Sequence, residues 1–169
     1  MKKTIALLLI VAAVFGCKKD EETTDTSTNT PEYNDQNLQG KIEGVLWEYV
    51  SGKFSMRKIS DSEYGYSVTM YPQRDSSLCS SGLKKWDKIL FTCPITPGRY
   101  ELNLDFNNPS GARTVTLYSE KEGINNIATQ GSYEIVTADT SKGILEIKMN
   151  VSADSENSVN GKATLTYCN

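Results

Sequence analysis

Apolar and polar residues alternate with a period of two along most of this chain. Ser67-Val68-Thr69-Met70-Tyr71 alternates, as do Arg99-Tyr100-Glu101-Leu102-Asn103-Leu104 and Thr114-Val115-Thr116-Leu117-Tyr118. Gly143-Ile144-Leu145-Glu146-Ile147-Lys148-Met149 and Lys162-Ala163-Thr164-Leu165-Thr166-Tyr167 follow the same rule. Successive side chains of a strand point to opposite faces, so this pattern marks strands with one buried face. A helical period is absent; the best candidate, Cys79 to Ile89, contains Gly82 and supports one turn at most. Turn residues punctuate the runs. Glu43-Gly44 divides Gly40-Lys41-Ile42 from Val45-Leu46-Trp47-Glu48-Tyr49, Asn160-Gly161 divides Ser158-Val159 from the last strand, and Pro97-Gly98 and Asn107-Asn108-Pro109 flank the strand near Arg99. Such residues supply the conformations that tight hairpins require. About nine short, evenly spaced strands predict an all-β fold, an antiparallel β-sandwich, with a lipocalin-like meander barrel as the alternative.

This pattern begins near Leu38. Residues 23–37, TTDTSTNTPEYNDQN, carry almost no apolar side chains and cannot offset the entropy of ordering, so they read as a stalk. Ahead of them stand Met1-Lys2-Lys3, an apolar run from Ile5 to Phe15, Gly16 and Cys17. The run is too short to span a bilayer, which takes about 20 residues, and no stop-transfer pattern follows it. The expected organisation is a leader over 1–16, an attachment point and stalk over 17–37, and one β domain over 38–169.

Val14-Phe15-Gly16-Cys17 resembles the lipobox of bacterial lipoproteins. The resemblance implies cleavage before Cys17 and acylation of that residue, which anchors the protein to a membrane; ordinary secretory cleavage beside an incidental cysteine is the alternative. Lys18-Lys19-Asp20-Glu21-Glu22 resembles the export tag of Bacteroidota lipoproteins, which implies an outer-membrane protein facing outward. A charged linker on the periplasmic face is the competing reading. Loss of Lys2 and Lys3 with the leader leaves 16 basic against 21 acidic residues and takes the net charge from −3 to −5. No basic stripe suited to nucleic acid is present.

With Cys17 acylated, Cys79, Cys93 and Cys168 remain, an odd number for an oxidising compartment. One disulfide and one thiol is the simplest account. Cys79–Cys93 would close a local loop, and Cys79–Cys168 would pin the last strand. Cys93 sits in the apolar run Ile89-Leu90-Phe91-Thr92-Cys93, where a thiol packs as a small hydrophobe, while Cys79 and Cys168 lie beside polar residues. That contrast favours Cys79–Cys168.

The chain contains no histidine, which removes Ser-His-Asp triads, Cys-His dyads and His-bearing zinc sites. No phosphate-binding glycine loop opens a helix, and no cofactor is implied. Paired carboxylates could still hydrolyse a glycosidic bond, with Glu101, Asp105, Glu134 and Glu146 as candidates, but their alternating positions beside Thr and Lys read as solvent-facing. Asp154 to Gly161 places oxygens at alternate positions, a faint likeness to a calcium loop that a polar hairpin explains better. Aromatic rings offer a non-catalytic route. Trp47, Tyr64, Tyr66 and Trp86 are candidate ligand contacts if exposed, with Arg57, Lys58 and Arg74 nearby for polar contacts.

The stretches Asn37 to Lys53 and Ser158 to Cys168 resemble the opening and closing hairpins of small β-rich Bacteroidota lipoproteins of unassigned function. In that group the terminal cysteine pairs with one in a mid-chain loop, which here implies Cys79. The resemblance transfers no catalytic residue. The expected function is a surface-tethered, non-catalytic module whose partner is a glycan or a protein at the cell surface. A protective envelope protein is the alternative, and a carboxylate hydrolase the remote one.

Overall fold

A computed structural model describes residues 32–80, 84–107 and 112–169. Cys17, the leader and most of the stalk lie outside them. Eleven strands are present among the described residues: β1 (Gln39–Ile42), β2 (Val45–Glu48), β3 (Ser51–Lys58), β4 (Tyr64–Tyr71), β5 (Lys88–Pro94), β6 (Gly98–Glu101), β7 (Val115–Ser119), β8 (Ile124–Ala128), β9 (Gln130–Asp139), β10 (Ile144–Asp154) and β11 (Asn157–Tyr167). No helix occurs among the described residues, and Leu78 and Cys79 lie in a turn. The fold is all-β, as the alternation predicts.

The strands form one sheet in the order β6-β9-β10-β11-β3-β4-β5-β7-β8, with the β1–β2 hairpin added at β11. The pairings between these strands are antiparallel except β11–β3, where Thr166 and Tyr167 run parallel to Lys53 and Phe54. The sheet curls until its two limbs face each other. Phe91 of β5 and Tyr133 of β9 are not sheet neighbours, yet their ring centroids lie 5.4 Å apart across the core. An isolated antiparallel bridge between Asn103 and Arg113 pins the β6 side to the approach of β7. The result is a half-barrel whose limbs pack like a sandwich.

Alternation decides what lies inside. Leu145, Ile147, Met149 and Val151 of β10 are buried, as are Val159, Ala163 and Leu165 of β11. Glu146, Lys148, Asn150, Asn160 and Lys162 take the outer face of the same strands. In β9 the register slips between Ile135 and Thr137, and Val136 bulges outward to solvent.

Two details differ from the sequence reading. Asn160-Gly161 is not a turn; it lies inside β11, and the hairpin turns at Ser155-Glu156 instead. Gly161 has φ 138°, and a Cβ there would stand 2.7 Å from the Asn37 carbonyl oxygen and 2.8 Å from that of Gln36. The glycine therefore serves a crossing of backbones. That crossing also moves the domain boundary. Glu32 to Asn37, expected as stalk, lie along the outer face of β9–β11. The Tyr33 hydroxyl pairs with Ser132 Oγ at 2.8 Å, and both Asn150 and Asn160 donate to the Glu32 carbonyl at 3.1 Å. Lys162 N–H donates to the Gln36 carbonyl at 2.9 Å, and Leu38 N–H to the Lys162 carbonyl at 2.8 Å.

Glu43-Gly44 forms the expected tight hairpin, with φ of 51° and 72°. Both values are positive, as the twist-matched two-residue turn requires. Cys79 and Cys168 lie at disulfide distance, with Cα atoms 5.3 Å apart, and join the β4–β5 connection to the end of β11. Cys93 is a buried free thiol, and burial pushes its pKa up to about 12.

Candidate functional site

The four aromatic candidates do not assemble into a surface. Trp47 is 3% exposed and Tyr66 5%, and both belong to the core. Tyr66 sets its edge against Phe54 at 5.1 Å, and the Trp47 ring N–H reaches the Asp87 carbonyl at 3.5 Å. Trp86 is half-buried against Tyr71, edge-on at 5.7 Å. Tyr64 alone is well exposed, at 52%. The physical reason is parity. Tyr64, Tyr66, Val68 and Met70 share the inward face of β4, and Tyr64 lies beyond the end of the core. The expectation that Trp47 and Tyr66 contact a ligand is therefore corrected.

The carboxylate candidates are also dispersed. Glu101 accepts from Arg99 Nε at 2.8 Å, and Glu134 faces Lys148 at 4.0 Å. Asp105 accepts the Asn107 N–H at 2.8 Å within its own turn, and Glu146 lines a shallow groove with Tyr49, Lys148, Lys162 and Thr164. Where carboxyl groups shift, they shift downward. Hydrogen bonds from Lys162, from Lys84 and from Ser141 lead in holding Asp35, Asp75 and Asp139, respectively, below the usual range. A general acid at neutral pH needs the opposite shift.

Asp154 works as a turn residue. Its Oδ1 accepts from Glu156 N–H at 2.9 Å and from Asn157 Nδ2 at 3.0 Å. Among the described residues, no three Cys, Asp or Glu side chains converge in a metal-binding group.

A cleft at one end of the half-barrel brings together what the sequence keeps apart. The end of β3 supplies Arg57 and Lys58, the following turn Ile59 and Glu63, and the end of β5 Thr92, Cys93 and Pro94. Ala112 and Arg113 approach from before β7, and Tyr133 of β9 rises from the core. The cavity measures about 350 Å³, the low end of the range for small-molecule sites.

Tyr133 is the telling residue. It is 0% exposed, with its ring held between Phe91 and Tyr100 at centroid distances of 5.4 Å each. Among the described residues its hydroxyl has no hydrogen-bond partner. Burial holds the phenol well above its ordinary pKa, with the Cys93 thiol pushing the same way and the Arg113 charge opposing. Both of those neighbours line the cleft with Tyr133, and the hydroxyl oxygen itself is buried beneath the cleft surface. Buried polar groups are nearly always paired, and an orphaned one costs about 1–3 kcal/mol.

Around this donor stand cations. The Arg113 guanidinium lies 5.7 Å from the Tyr100 ring, and Lys58 pairs with Asp61 at 2.9 Å in solvent. Arg57 borders both the cleft and a neighbouring open face carrying Ser67, Thr69, Thr92, Thr114 and Thr116. The sequence marks Arg57 and Lys58 as polar contacts, but beside the aromatic cluster. It does not mark Arg113 or Tyr133. Period-two alternation places Tyr133 inside, and nothing local shows its hydroxyl to be orphaned.

No protein-family model, no curated protein and no solved structure matches this chain.

Proposed function

We propose that this protein is a lipid-tethered, non-catalytic binding module of a bacterial outer membrane, held through Cys17 and displayed at the cell surface. The leader and the Lys19-Asp20-Glu21-Glu22 tag support the address. The observation that carries the binding role is the cleft over Tyr133. A buried hydroxyl without an internal partner is costly to the fold, and an incoming acceptor gives it a purpose.

Two experiments test the address. Cys17→Ser should move the protein from membrane to soluble fractions or leave it unprocessed, and unchanged membrane partitioning would overturn the anchor. Protease added to intact cells should remove the protein; digestion only after lysis would favour the periplasmic face. For binding, a glycan and cell-surface array should return a signal that falls in Tyr133→Phe and persists in Tyr64→Ala. The burial of Trp47 and Tyr66 supports the second reading, a protective envelope protein without a ligand. An array without signal would favour it.

A further inference from the structure

We infer that the cleft over Tyr133 holds an anionic oxygen group, a carboxylate or oxyanion carried on a ligand no larger than about one sugar ring. This inference rests on the binding reading above and names the chemistry of its site. Three observations converge on it. The Tyr133 hydroxyl lies buried directly beneath the cleft lining and, among the described residues, has nothing to donate to. Arg57, Lys58 and Arg113 line the same cleft against a single lining carboxylate, Glu63. That local surplus of positive charge stands on a chain whose net charge is −3.

Geometry adds selectivity. Guanidinium groups pair with carboxylate and oxyanion oxygens in a bidentate fork, and a neutral phenol donates one further hydrogen bond to the same charge. A cation would meet Arg57 and Arg113 at the entrance and a hydroxyl proton below. Lys58 is engaged by Asp61, so the two arginines carry the recognition. Ile59, Pro94 and Ala112 give the cleft an apolar wall against which a ring face can rest. A volume of about 350 Å³ accommodates a monosaccharide with its acidic substituent and little more.

The test is calorimetric titration of the full-length, detergent-solubilised protein with D-glucuronate, inorganic sulfate, inorganic phosphate and D-glucose. Glucuronate should bind with a dissociation constant on the order of 0.1–1 mM. Binding should weaken about tenfold in Tyr133→Phe and in Arg113→Ala, and should fall with added salt. Thermal melting of both variants checks that the fold survives. Sulfate or phosphate binding with the same variant losses would support the anionic class and point to an oxyanion rather than a carboxylated sugar. Equal binding by wild type and variants would overturn the inference. Glucose binding that depends on Tyr133, without anion binding, would overturn it while leaving the binding reading standing. Silence from every probe up to about 10 mM would overturn the anionic assignment, and the array would then judge the wider reading.

Discussion

At the scale of single residues, three side chains carry separable expectations. Tyr133 holds its hydroxyl buried and, among the described residues, unpaired, so Tyr133→Phe removes a penalty without leaving a void. The ligand-free variant should unfold at the same or higher denaturant concentration, gaining up to about 1 kcal/mol, while binding weakens. Stability and binding moving in opposite directions is a result that a purely structural tyrosine would not give. Cys93 is sealed in the core with its pKa pushed up to about 12. It should resist alkylation in the native protein and react at the rate of unfolding, read by peptide-resolved mass spectrometry. Asp75 is held down at about 2 from 3.8, first by Lys84 and then by Ser77. A depressed folded pKa adds stability that is present above the unfolded value and lost as pH falls through the folded one. Thermal midpoints should therefore drop between pH 3.8 and about 2, and Asp75→Asn should flatten that acid limb. Of these three, the burial of Cys93 could be read in the sequence because it sits in an apolar run, and that of Tyr133 from local alternation, but not the state of its hydroxyl. The states of Tyr133 and Asp75 depend on neighbours distant in sequence or fixed by loop geometry.

At the scale of elements, local pattern was legible where one face of a strand is buried and the other wet. β4, β6, β7, β10 and β11 follow from alternation, although β6 ends at Glu101 rather than Leu104, β5 follows from its apolar run, and the β1–β2 hairpin follows from Glu43-Gly44. β8 carries Ile124-Asn125-Asn126-Ile127, whose polar pair breaks the period. β9 changes parity at the Val136 bulge, so no single alternation spans it. Asn160-Gly161 misleads for a definite reason: the dipeptide that makes a hairpin also suits a strand whose neighbour passes too close for a Cβ. Gly161→Ala should accordingly destabilise the domain by at least about 2 kcal/mol, measured by urea unfolding. The Cys79–Cys168 link closes a span of 89 residues. Chain-entropy reasoning credits such a loop with about 4–5 kcal/mol, and removal of a native bridge costs about 2–5 kcal/mol in small secreted domains. Replacing both cysteines by serine should lower the unfolding midpoint accordingly. The first amide to lose exchange protection should be that of Cys168, which donates to the Phe54 carbonyl at 2.8 Å beside the short parallel pair.

At the scale of the whole molecule, the fold class was legible and the closure was not. Alternation states which face is buried but not which strand lies beside which, so the β11–β3 parallel pair and the facing of β5 and β9, set by partners distant along the chain, are not legible in it. The aromatic surface failed for the same reason: exposure of Trp47 and Tyr66 depends on which limb covers them. The lead-in segment is part of the domain's outer face. Removing residues through Asn37 should lower the thermal midpoint of the β domain by several degrees, because Ser132, buried at 0% exposure, loses its Tyr33 partner, and the Lys162 N–H loses the Gln36 carbonyl.

The position of β11 has a consequence for the order of events in the cell. β11 pairs with β10 along its length, with β1 near its start and with β3 at its end. β11, the last of these strands along the chain, is thus the keystone that joins β3 and the limb beyond it to β9 and β10. A nascent chain that has not yet produced β11 lacks every strand pairing between the two limbs, so its sheet cannot close until β11 is in place.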